Sequence, residues 1–327
     1  MSLIDTALDR AVVPGYSRIG YLIRRRGWTG ERADPPRGAL TGRTALVTGA
    51  GGGIGEAIAT GLVRLGATVH LLVRSRDKGE ASRDRIVEAV PGLSPERLPI
   101  QVCDIGELAE VRAFAARFAA EVPALDVLVH NAGLLPDARS ETSEGNELTL
   151  AVHVLGPLLL TRLLADPLAV GAERSGHDSR VVIMSSGGMY AQRLRDDDLQ
   201  FTTGDYGGTA AYARTKRMQV VMTGLLADEL APRNITVHAL HPGWAATPGV
   251  TGSLPLFDKV VGPVLRTPAQ GADTAVWLAA APASAVGTGR FWHDRSARPA
   301  HYLSRTTETA AQREHFRAEV DRLTAGP

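Results

Sequence analysis

From residue 43 onward, short β-branched apolar runs alternate with longer segments whose apolar residues recur at helical spacing. The runs are TALVTG (44–49), TVHLLVR (68–74), LPIQVCD (98–104), LDVLVHN (125–131), RVVIMSS (180–186), ITVHAL (235–240) and GRFW (289–292). The spacing predicts helices near 54–66, 77–90, 106–121, 143–165, 209–231 and 268–281. Continuous apolar runs joined by helices predict parallel strands covered on both faces. The expected fold is α/β: a doubly wound parallel sheet of about seven strands in three α/β/α layers. Such sheets bind ligands beyond the carboxyl ends of their strands.

Residues 41–293 carry this pattern and form the predicted domain. Residues 1–40 lack a clear period and read as an arm. Within it, Tyr16, Ile19, Tyr21, Leu22, Ile23 and Trp28 are apolar enough to pack on the protein's own core, a dimer partner or a membrane surface. Residues 294–327 read as a tail that ends in a helix, TETAAQREHFRAEVDRLT.

Composition narrows the classes. A formal net charge of +1 gives no overall field toward nucleic acid, so none is expected as a partner. One cysteine, Cys103, excludes an internal disulfide and multi-cysteine metal motifs. The nine histidines lack ligand spacing, so no metal is expected. No apolar run reaches the length of a membrane span, and the first residues lack the order of a signal peptide. A cytoplasmic protein is the expectation.

The chemistry begins after the first run, in Thr48-Gly-Ala-Gly-Gly-Gly-Ile-Gly55. A glycine-rich turn between strand and helix lets a diphosphate approach the backbone, and the helix aims free N–H groups at it. Gly49, Gly51, Gly53, Ile54 and Gly55 are the candidates. After the second run an acid would favour NAD through the ribose 2′-hydroxyl. This chain carries Arg74 and Arg76 there, with Asp77 behind them. Cationic donors suit a 2′-phosphate, so NADP(H) is expected over NAD(H). Solvated turn residues are the other reading of the same arginines.

Tyr212 and Lys216 lie one helical turn apart in TAAYARTK. Taken with TGxxxGxG, Asn131-Ala132-Gly133, Ser186 and Pro242-Gly243 followed by Thr247, the chain resembles a short-chain dehydrogenase/reductase over residues 40–292. The glycine spacing separates it from the extended, epimerase-like branch. YSRIGY (16–21), IMSSGGM (183–189), HPGWAATPGV (241–250), QGADTAVWLA (270–279) and GRFWHDR (289–295) are similar to the dehydrogenase/reductase member 12-like group.

The resemblance implies a Rossmann-type NAD(P)-binding domain that interconverts an alcohol with its ketone or aldehyde. It implies that Asp104 and Ile105 contact adenine, and that Asn131, Ala132 and Gly133 line the cofactor cleft. Pro242 and Gly243 lead to Thr247, which holds the nicotinamide carboxamide. Tyr212 is then the general acid/base, Lys216 also binds the nicotinamide ribose, and Ser186 holds the substrate oxygen. Strand alternation turns neighbouring Ser185 the other way. The Lys216 ammonium and an oxidised nicotinamide would both lower the tyrosine pKa.

One position departs from the family: His153 stands where an asparagine usually supports a water relay to the lysine. An imidazole that serves the relay, and a buried histidine satisfied by backbone, are both consistent with the sequence. The former would charge near pH 6.5 and oppose Lys216. The long segment after Ser186, with Asp196-Asp197-Asp198, and residues 248–266 are expected to form a substrate lid. The apolar second segment hints at a lipophilic substrate, and the aspartates are expected to be solvated. A homo-oligomer is a further expectation. The competing function is a non-catalytic NADP(H)-binding regulator or scaffold on the same fold.

Overall fold

The computed structural model describes residues 3–246 and 262–326. Eight strands form one sheet: β1 (Thr44–Thr48), β2 (Thr68–Val73), β3 (Ile100–Val102), β4 (Val127–His130), β5 (Ser179–Met184), β6 (Ile235–Leu240), β7 (Arg290–His293) and β8 (Ser296–Arg298). Their order is β3-β2-β1-β4-β5-β6-β7-β8. All pairs are parallel except the β7–β8 hairpin. The order reverses between β1 and β4, which opens the crevice where such sheets bind ligands.

Helices complete the layers: α1 (Leu3–Arg10), α2 (Val12–Tyr16), α3 (Arg18–Arg25), α4 (Gly53–Arg64), α5 (Arg76–Ala89), α6 (Leu108–Glu121), α7 (Leu148–Leu150), α8 (Gly156–Leu163), α9 (Ala165–Ser175), α10 (Gly208–Leu230), α11 (Pro268–Ala280), α12 (Ala283–Val286) and α13 (Ala310–Thr324). Strand alternation divides the core between the two faces of the sheet. Leu46, Val181 and Ile183 pack with α6, α8 and α10 on one side. Ala45, Val47, Val182 and Met184 pack with α4 and α11 on the other.

The sheet agrees with the expected fold and has eight strands, the last added where β8 folds back on β7 through the left-handed residues Asp294 and Arg295. The predicted boundary at 293 therefore cuts a hairpin. Beyond it, α13 buries Phe316 and Val320 in the α10 side of the core. The acidic run is not uniformly solvated. Asp198 is buried and accepts hydrogen bonds from Thr202 and Thr203, with Arg214 beside it. These bonds hold its carboxyl down to about 2, against the opposing effect of burial.

The arm is helical and anchored by charge. Arg24 pairs with Asp5 and Asp294, and Arg266 also pairs with Asp294. Arg298 pairs with Asp5 and Asp9. These are buried ions, so each depends on its partners to offset desolvation. No single helix among the described residues is long and apolar enough to cross a membrane.

Candidate active site

The phosphate loop is shaped by close backbone approach. Gly49 has φ +67°, and a Cβ there would stand 2.8 Å from the Ala132 Cα. A Cβ on Gly55 would meet the Gly49 carbonyl at 2.2 Å. Thr48 Oγ1 accepts from the N–H groups of Asn131 and Ala132, both at 3.0 Å. Asn131 Nδ2 donates to the Thr48 and Gly49 carbonyls at 3.1 and 3.3 Å. Asn131 and Ala132 thus staple β4 to β1 and fix the loop.

Gly53 takes φ +58° and starts α4, while a Cβ on Gly52 would meet nothing within 4 Å. That open backbone at a helix N-terminus fits a dinucleotide pyrophosphate. The Ile54 side chain packs against Gly271 of α11 and holds the loop end of α4 against that helix.

The end of β2 is cationic. Arg74 and Arg76 are exposed, and the Arg74 guanidinium lies 3.8 Å from Asp104. Lys78, in the first turn of α5, was not singled out by sequence reasoning. A Cβ on Gly51 would stand 3.3 Å from its Cβ, so it flanks the phosphate loop directly. The signal lay in the basic spacing of Arg74, Arg76 and Lys78. Asp104 Oδ1 accepts from the Gly106 N–H, whereas Ile105 is buried in the core behind it.

Across the cleft, alternation at the end of β5 separates the two serines. Ser185 Oγ donates to the Lys216 carbonyl at 2.8 Å and is buried. Ser186 begins the next turn, accepts from the Gly188 N–H, and lies close enough to the Tyr212 phenol to favour its anion. Tyr212 and Lys216 share one face of α10, with Nζ 5.2 Å from the centre of the tyrosine ring.

Lys216 Nζ donates to the Met184 carbonyl at 2.8 Å and to Gln219 Oε1 at 3.1 Å. Gln219 Nε2 in turn donates to the backbone carbonyl of His153 at 2.8 Å. That carbonyl belongs to a widened turn, Ala151–Leu155, where the Gly156 N–H bonds back to Ala151. Sequence reasoning missed Gln219. Its position three residues after Lys216, on the same helix face, was the available signal.

The His153 ring is otherwise engaged. The Leu134 N–H donates to Nε2 at 3.1 Å, which leaves the proton on Nδ1 to be given to Thr215 Oγ1 at 2.8 Å. A Cβ on Gly133 would come within 3.1 Å of Nε2, so the glycine makes room for this ring. Burial and, secondarily, the Lys216 charge hold the imidazole neutral well below its ordinary range. Neither ring nitrogen turns to Lys216, which is joined to this residue through the backbone instead.

Burial also sets the other two groups. It pushes Lys216 down to about 7. It raises the Tyr212 phenol, and Ser186 offsets this in part. Burial outweighs the Ser186 contribution, so the net direction for the phenol is upward.

After β6, Gly243 takes φ +77°, and a Cβ there would stand 2.2 Å from the Arg266 Nε. Arg266 NH1 donates to the Pro242 carbonyl, and Tyr16 O accepts from both Arg266 Nε and the Trp244 N–H. Arg266 and Tyr16, read from the sequence only as part of the expected lid and of the arm, join the two segments here. Thr247 and residues 248–261 of the expected lid lie outside the described residues.

The chain is similar to known proteins over most of its length. The family described as Enoyl-(Acyl carrier protein) reductase matches residues 49–294. "Dehydrogenase/reductase SDR family member 12" of Bos taurus is 38% identical over 279 residues, 84% of each chain. "Retinol dehydrogenase 14" of Homo sapiens is 34% identical over 306 residues, covering 88% of this chain and 85% of its own. A Beutenbergia cavernae protein solved with bound NADP is 30% identical, with a TM-score of 0.61 over 79% of this chain and 97% of its own. The 3-ketoacyl-(acyl-carrier-protein) reductase of Brucella melitensis, solved with NADH, is 27% identical, with a TM-score of 0.58 over 77% and 96%.

Proposed function

The chain belongs to the short-chain dehydrogenase/reductase family of NAD(P)-binding oxidoreductases acting on small alcohols and carbonyls, and on that premise we propose that it is an NADP(H)-dependent enzyme interconverting a lipophilic alcohol and its ketone or aldehyde, with Tyr212 as general acid/base. The observation that carries the reading is the convergence of Ser186, Tyr212 and Lys216 beyond β5, across the crevice from the glycine loop. Bound cofactor supplies or accepts the hydride. The chain's residues handle the proton.

In the reductive direction Tyr212 donates its phenolic proton to the oxygen of the carbonyl, and Ser186 orients that oxygen by a second hydrogen bond. Lys216, poised near neutral pH, holds or passes a proton at Nζ. Its bonds to Met184 and Gln219 survive either protonation state, because a neutral amine still donates twice. Oxidation runs the same path backward, with the phenolate accepting the alcohol proton. Each unit by which the phenol must fall requires about 1.4 kcal/mol of added stabilisation of its anion.

Arg74 and Lys78 beside the loop support a ribose 2′-phosphate, hence NADP(H). The retinol dehydrogenase relative supports a lipophilic substrate. A panel of aliphatic, aromatic and isoprenoid alcohols and carbonyls, run with NADPH/NADP+ and NADH/NAD+, tests the reading. Turnover with at least one apolar substrate and the phosphorylated cofactor is expected. Binding of NADPH without turnover on any of them would contradict it.

A further inference from the structure

The amphipathicity of α3 is reversed. Ile19, Leu22 and Ile23 stand at i, i+3 and i+4 and face solvent, at 49%, 42% and 39% exposure. Its buried side instead carries Gly20, Tyr21 and Arg24, with Arg24 paired to Asp5 and Asp294. A helix of a globular domain ordinarily turns such an apolar stripe inward. In α2, Val12 and Val13 add to the exposed set at 51% and 58%. Among the described residues nine large hydrophobics are exposed, and five of them fall between positions 12 and 23. Clustering of this kind marks an interaction surface rather than scatter.

The charge around the cluster has one sign. Arg18, Arg25 and Arg26 are exposed, and no acid occurs between Arg10 and Arg26. We propose that this face docks on an anionic membrane surface. The apolar stripe enters the headgroup boundary, and the arginines meet lipid phosphates and carboxylates. A second copy of the chain fits less well, since a two-fold contact would set the arginines against themselves. The net charge of only +1 makes the attraction local to the arm.

The other side of the same segment reaches the site. The Tyr16 ring meets His241 edge-on at 4.3 Å and Trp244 at 5.9 Å, and it limits the space at Gly187, next to Ser186. One short piece of chain therefore joins the docking face to the wall of the cleft. This placement suits the lipophilic substrate proposed above and does not depend on it.

Flotation of the full chain with phosphatidylcholine vesicles, with and without phosphatidylserine, tests the proposal. Binding is expected only with phosphatidylserine and should weaken as salt rises. Ile19→Asp with Leu22→Asp, and separately Arg18→Glu with Arg25→Glu and Arg26→Glu, should each cut the bound fraction at least about tenfold. Both variants should keep the wild-type melting temperature and NADPH binding. Absence of flotation, equal flotation of the variants, or equal binding to neutral vesicles would overturn the proposal. A dimer abolished by the Ile19/Leu22 variant, without vesicle binding, would overturn it in favour of self-association.

Discussion

At Lys216 two demands meet on one nitrogen. Burial drives the ammonium toward neutrality, while the Met184 carbonyl and Gln219 keep it anchored in either state. His153 does not share this titration, because its neutral tautomer is fixed by the Leu134 N–H and Thr215. The sequence could place a histidine at that point but not assign its ring, since the partners arrive from residues 19 and 62 positions away. Arg74 and Lys78 are where the proposed preference for NADP(H) would be decided. Replacing both by alanine removes two cations from beside the phosphate loop. A lost charge-assisted hydrogen bond is worth about 1.5–3 kcal/mol, so NADPH affinity should fall at least about tenfold with NADH affinity unchanged. Fluorescence titration of the two reduced cofactors checks this, and an equal loss for both would refute the assignment.

At the scale of elements, the C-terminal helix tests how the domain ends. Phe316 of α13 is fully buried in the core shared with α10. Phe316→Ala should lower unfolding free energy by about 3–5 kcal/mol in urea titration. A loss under about 1 kcal/mol would mean the tail is a detachable appendage. The parallel strands and the glycine loop were legible because buried runs and a strand–turn–helix punctuation are local signals. The eighth strand was not, for Ser296–Arg298 is three residues long and carries no apolar alternation. Helices of the arm were missed for another reason. Their inward contacts include ion pairs to Asp294 and to Arg298, far along the chain, so no regular hydrophobic period marks the buried side.

Across the whole molecule, buried histidines link stability to pH. Burial lowers His70 and His293 to about 4 and His130 and His238 to about 3, and holds His153 and His241 well below 6.5. Unfolded, each would titrate near its ordinary value of about 6.5. The unfolded chain then binds more protons than the folded one below that pH, so stability present above about 6.5 is lost on acidification. Urea midpoints should fall steadily from pH 7 to pH 5, and a flat profile would contradict the burial assigned to these rings. The account as a whole stands on the proton that Tyr212 is proposed to move. The most direct test is the hydride-transfer rate of Tyr212→Phe under saturating NADPH, on whichever carbonyl the wild type reduces. A fall of at least about a hundredfold with NADPH affinity intact is expected for loss of a general acid. A variant that turns over at the wild-type rate would contradict the mechanism.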